Sequence, residues 1–128
     1  MRKFPCYIQE EKNDCGPACI KSILRYYNGN YDYQKLKEKL CLSSHGTSAY
    51  HMITFLNEHG FYAEGKRYDW KHWIEGKFLL PSIVLLKNEA LENHYVVIYR
   101  ISSKKEKVWI GDPKEGIRIL SWKQFQSQ

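Results

Sequence analysis

The chain has 128 residues, 43% hydrophobic and 15% aromatic, which suits one folded domain, leaves too little length for two of ordinary size, and excludes a disordered chain. Its net charge of +6 raises the question of a nucleic-acid or membrane partner. However, the basic residues are scattered through YDYQKLKEKL, EGKRYDWKHW and ISSKKEKVW among acidic ones, without a zinc-finger, RNA-recognition or nucleotide-binding fingerprint, so no nucleic-acid partner is expected.

The N-terminal stretch MRKFPCYIQEEKNDC lacks an apolar run long enough for a secretory signal, and no 18-residue apolar run follows. The expectation is a soluble, cytoplasmic domain in which Cys6, Cys15, Cys19 and Cys41 are thiols rather than two disulfides. A first helix is predicted from Gly16 to Tyr27, because Ala18, Cys19, Ile23, Leu24 and Tyr27 recur at three- and four-residue steps and Asn28-Gly29-Asn30 stops it. A short basic helix fits Tyr33 to Leu40, and a third begins near Thr47 or Ser48, either of which can cap it, and runs toward Gly60. Beyond Gly60 the pattern changes to strands: a short candidate at Phe61 to Ala63, then Ser82 to Leu86, His94 to Ile101, Val108 to Ile110 and Ile117 to Leu120. Helices first and sheet second predicts an α+β fold with an antiparallel sheet packed on a helical half.

The stretch NDCGPAC places Cys15 at the mouth of the first helix, with Asp14 or Cys15 available as cap and Pro17 tolerated in the first turn. A thiol there sits at the positive end of the helix dipole, where the thiolate is favoured. Taken alone, a cysteine is more often inert core, and the same caution applies to each possible helper. Gln9 lies six positions upstream, where its amide can donate to an oxyanion beside the Cys15 N–H. His94 opens the apolar strand NHYVVIYR and is the best of five histidines for a base; His45, His51, His59 and His72 read as surface or capping residues. Asp112, ahead of Pro113 in VWIGDPK, closes the next strand, and a hairpin over Ser102 to Lys107 brings it back toward His94 to hold the imidazole tautomer.

QEEKNDCGPAC, followed far downstream by NHYVVIYR and then GDPK, resembles the double-glycine leader peptidases, papain-like cysteine proteases (cysteine peptidase family thirty-nine) usually found at the N-terminus of peptidase-containing ABC exporters. The resemblance runs from Tyr7 to the Trp122–Phe125 segment, and HGTSAYHM at 45 to 52 resembles the family segment near the site. It implies a papain-like fold and an endopeptidase that cuts leaders from bacteriocin or pheromone precursors after Gly-Gly, with no cofactor. It also implies roles: Cys15 attacks, His94 relays the proton, Asp112 orients His94 and Gln9 completes the oxyanion hole. The implied partners are a leader peptide and the transmembrane and ATPase domains of an exporter. The whole of 1–128 is then one peptidase domain, either excised from an exporter or free-standing.

Two other readings compete. A metal site would use Cys15 and Cys19 at i, i+4 with histidines, but no paired C-x-x-C or H-x-x-x-H is present and Cys19 falls on the apolar periodicity of its helix. A non-cleaving binder of leader peptides would use the basic surface and the many Tyr and Trp.

Overall fold

A computed structural model of the chain describes residues 4–65, 79–87 and 93–126. Three helices come first: α1 (Cys15–Tyr26), α2 (Tyr33–Lys39) and α3 (Ala49–Glu58). Four strands follow, β1 (Ser82–Lys87), β2 (Asn93–Ser102), β3 (Lys107–Asp112) and β4 (Gly116–Ser121), and then a terminal helix, α4 (Trp122–Gln126). The strands form one antiparallel meander in the order β1-β2-β3-β4. The α+β expectation holds.

Local chemistry sets the helix limits. Beyond α1, Asn28 takes a positive φ of 64°, and the Asn28 and Gly29 N–H groups return to the Arg25 and Leu24 carbonyls, which ends the helix at the Asn-Gly pair. Asp32 caps α2 by accepting the Lys35 N–H at 3.0 Å. Ser48 rather than Thr47 caps α3, accepting the His51 N–H at 3.2 Å. Thr47 is occupied elsewhere, because its hydroxyl donates to the Leu40 carbonyl.

The three helices share a core of Ala18, Ile20, Leu24, Tyr33, Leu36, Leu40, Met52 and Phe55. From its other side α1 presents Cys19 and Ile23 to Val97 and Tyr99 of β2, which joins the helical half to the sheet. The opposite face of the sheet, Ile98, Val108, Ile110 and Leu120, is covered by Phe125 of α4. Burying a side chain of this size contributes roughly 1.5–3 kcal/mol.

The strand expected at Phe61 to Ala63 is corrected: this segment is a loop. The Asn57 side chain accepts the Ala63 N–H at 3.0 Å and donates to the Ala63 carbonyl at 2.9 Å, so the backbone pairs with an amide instead of a neighbouring strand. Phe61 still packs against the core. Among the described residues no helix is long and apolar enough to cross a membrane.

Gly16 is required where it stands, because a Cβ there would overlap Thr47 Cγ2. The expected net effect of Gly16→Ala is a loss of about 1–2 kcal/mol: Ala gains up to about 1 kcal/mol in helix propensity, but overpacking costs about 1–3 kcal/mol. Thr47 cannot swing its methyl aside without losing its bond to Leu40. Urea denaturation checks this, and adding Thr47→Ser, which deletes the methyl and keeps the hydroxyl, should restore most of the loss.

Candidate active site

Cys15 is the first residue of α1, and Asp14 occupies the cap position. The Asp14 side chain does not cap the helix, which corrects part of the sequence expectation. Its carboxylate, 1% exposed, turns back and accepts the Glu10 and Glu11 N–H groups at 2.8 Å each and the Tyr33 hydroxyl at 2.8 Å. The N–H groups at the start of α1 therefore receive no cap from the Asp14 side chain. Burial pushes the Cys15 thiol up, but the hydrogen bond with His94, the Tyr95 backbone, the charge of His94 and the Gly16 backbone together outweigh it and hold the thiol below its ordinary 9.0.

His94 lies near the start of β2, opposite Leu86 of β1, with its ring half-buried. Its Nε2 is 2.7 Å from Asp112 Oδ1, which leaves Nδ1 for the Cys15 thiol. The hydrogen bonds with Asp112 and then with Cys15 outweigh burial and raise the imidazole to about 9, so it is held as the cation. Asp112 closes β3, and Gly116 opposite it adopts a positive φ of 98°, which shapes the turn between β3 and β4. The carboxylate is fixed twice more: Lys114 N–H donates to Oδ1 at 2.9 Å, and Arg118 Nη1 lies 3.6 Å from Oδ2. Burial raises Asp112, but His94, the Lys114 N–H and Arg118 outweigh it and keep the group ionised. The Asp-Pro turn and the support of His94 are thus one structure.

Gln9 reaches the same region through its backbone, whose N–H donates to the Pro113 carbonyl at 2.8 Å. Its Nε2 gives one hydrogen to the Glu11 carbonyl at 2.5 Å, which leaves the second amide hydrogen for another acceptor. Its Oε1 is buried with no partner among the described residues. In front of Cys15 lies a cleft of about 250 Å³ lined by Asn13, His45, Gly46, Thr47, Leu85 and Tyr95, among others. Asn13 Nδ2 donates to the Ser43 carbonyl at 2.6 Å and ties the loop at 43–47 to the segment before Cys15.

The sequence reading brought forward Cys15, His94 and Asp112, and the structure joins them in one line of hydrogen bonds. It missed Tyr95, Arg118, Leu85 and Asn13, whose parts depend on register and loop contacts that carry no local signal. The stretch at 45 to 52 does reach the cleft, through His45, Gly46 and Thr47. His51 contacts the Ser48 cap and His59 the Phe55 carbonyl, while His72 lies outside the described residues. Cys19 is fully buried in the core beside Ile23, and burial pushes its thiol well up; burial and Asp112 push Cys6 up to about 11. Neither is prepared as a nucleophile. The arrangement as a whole sets a thiol of lowered pKa beside an imidazolium and backs the imidazolium with a carboxylate, an arrangement able to perform acyl transfer.

The sequence model of the Peptidase C39 family matches residues 3–128. The chain is 36% identical over 116 residues to the lactococcin-G-processing and transport ATP-binding protein LagD of Lactococcus lactis subsp. lactis, covering 91% of this chain and 16% of that protein. It is 27% identical over 122 residues to the pediocin PA-1 transport/processing ATP-binding protein PedD of Pediococcus acidilactici, covering 94% of this chain and 17% of that protein. Thus the chain spans only about a sixth of the length of these relatives. Its fold is similar to the crystal structure of the peptidase domain of Streptococcus ComA, with TM-score 0.85 and 27% identity over 98% of this chain and 92% of that one. It is also similar to a double glycine motif protease from an AMS/PCAT transporter in complex with the leader peptide, with TM-score 0.85 and 24% identity over 98% and 84% of the two chains.

Iodoacetamide alkylation of Cys15 should titrate below the 9.0 of an ordinary thiol, and His94→Ala should move the inflection upward. The same pair links stability to pH. Because folding raises His94 from 6.5 to about 9, its stabilising contribution is complete below 6.5 and lost as pH rises through about 9. The melting-temperature gap between wild type and His94→Ala should therefore narrow across that interval.

Proposed function

The chain belongs to the peptidase C39 family, a family of cysteine peptidases, and from that premise we propose that Cys15, His94, Asp112 and Gln9 cleave leader peptides after a Gly-Gly pair. The observation that carries this reading is the unbroken line from the Cys15 thiol through His94 to Asp112 at the start of α1.

The geometry supports a role for each residue. The Cys15 thiolate attacks the scissile carbonyl carbon, and the carbonyl oxygen becomes an oxyanion that accepts the Cys15 N–H and the free amide hydrogen of Gln9. Collapse of this intermediate breaks the C–N bond. His94 delivers the Nδ1 proton to the departing amine, leaving an acyl-thioester on Cys15. His94 then takes a proton from water, hydroxide attacks the thioester, and the thiolate is released. Through both halves Asp112 holds Nε2 and keeps the proton in play on Nδ1.

The relatives and the cleft support this choice of substrate. LagD and PedD are named for processing and transport of lactococcin G and pediocin PA-1. A cleft crowded by Thr47, Leu85 and Tyr95 suits two residues without side chains before the cut. Binding energy would come from apolar positions of the leader, away from the cut. We assign the chain to the cytoplasmic face of an exporter as its peptidase domain, with the transmembrane and ATPase domains as partners.

The test uses a synthetic leader peptide ending in Gly-Gly and joined to a coumarin amide. Cys15→Ala should abolish release of the dye without changing the circular dichroism, and His94→Ala should come close to it, because the two act as a unit. Gln9→Ala should lower kcat by roughly 10²- to 10³-fold, the scale of one oxyanion donor. Asp112→Asn should lower kcat more than it raises KM. Dye release should fall as pH rises through about 9, where His94 loses the proton that the amine needs. Binding of the leader with no dye release in wild type would instead identify a receptor.

A further inference from the structure

We propose that Asp14 is a positioning residue for the oxyanion donor: its carboxylate holds the Glu10–Glu11 backbone, and the Glu11 carbonyl holds the Gln9 amide. This inference rests on the role proposed above for Gln9.

Asp is among the preferred cap residues, yet Asp14 at the cap position of α1 gives its carboxylate to the preceding loop. The two oxygens divide the task. Oδ1 accepts the Glu11 N–H, and Oδ2 accepts both the Glu10 N–H and the Tyr33 hydroxyl. Glu11 is thus gripped through its N–H by Asp14, while its carbonyl takes one hydrogen of Gln9 Nε2. At the other end of the loop, the Gln9 N–H is anchored on Pro113, the residue after Asp112. Gln9 is therefore held at two points, its backbone N–H on Pro113 and its side-chain amide on Glu11, the residue that Asp14 grips.

Tyr33 completes the clamp from α2. Burial and the Asp14 carboxylate push its hydroxyl well above the usual phenol range, so it remains a donor. Its ring is braced edge-on by Tyr7, with centroids 4.4 Å apart, and Lys37 lies 5.1 Å over its face while pairing with Glu10 at 3.1 Å. These contacts order the loop that carries Gln9. They also keep the Asp14 side chain from capping α1 beside the sulfur.

The experiment compares wild type, Asp14→Asn, Gln9→Ala and the double variant on the same Gly-Gly coumarin peptide, with iodoacetamide alkylation of Cys15 as the second readout. Asn keeps the shape but replaces one acceptor oxygen with a donor. We expect Asp14→Asn to lower kcat by roughly 10- to 10²-fold, short of a full oxyanion donor, with KM and the alkylation rate within about 2-fold of wild type. In the Gln9→Ala background the same change should cost less than about 2-fold, because the group that Asp14 positions is gone. An equal loss in both backgrounds, or slowed alkylation, overturns the inference and leaves the Gln9 assignment standing. Wild-type kcat in Gln9→Ala overturns both. Should Asp14→Asn fail to fold, Tyr33→Phe carries the test: it removes one donor to Oδ2 and keeps the ring. A several-fold fall in kcat that vanishes with Gln9→Ala supports the inference, and a fall that persists overturns it.

Discussion

The seating of α1 on β2 is the constraint on which the site depends. Cys19 and Ile23 on α1 meet Val97 and Tyr99 on β2, and this apolar contact sets where the first residue of the helix stands relative to the first residues of the strand. Cys15 and His94 occupy those two positions. A site assembled from the ends of two packed elements inherits their rigidity, which keeps the thiol and the imidazole at a fixed separation.

Charge is organised around this contact from several directions. The thiol is drawn below its ordinary range by the imidazole and by backbone N–H groups, against a burial effect that opposes it. The imidazole is drawn up by Asp112, and Asp112 in turn is kept ionised by His94, Lys114 N–H and Arg118. By contrast, Cys6 and Cys19 lie in the same region without such support and are pushed the opposite way. The difference between one thiol drawn down and two pushed up is therefore a matter of neighbours and not of residue type.

Helix α1 and strands β1 to β4 were readable because their apolar spacing agrees with how they pack, and their ends fall on Asn-Gly, Pro and Gly signals. Cys15, His94 and Asp112 were readable because each stands at an element end, where hydropathy breaks. Residues 61 to 63 misled because β propensity does not reveal whether a partner strand exists; here Asn57 took that place. Asp14 was readable only as a cap, since the donors that turn its carboxylate lie at positions 10, 11 and 33, and the last of these is on another helix. Tyr95 and Arg118 were missed for a related reason: one acts through its backbone, and the other is brought into place by the turn before β4.

The groups that arm the sulfur come from opposite ends of the chain. Cys15 opens the first helix, while His94 and Asp112 lie in a sheet whose strands start at residue 82. In an unfolded chain the sulfur is an ordinary thiol, because the imidazole and the carboxylate behind it are brought near only by contacts between distant parts of the sequence. Folding itself thus sets the acidity of this sulfur, which the unfolded chain leaves at its ordinary value.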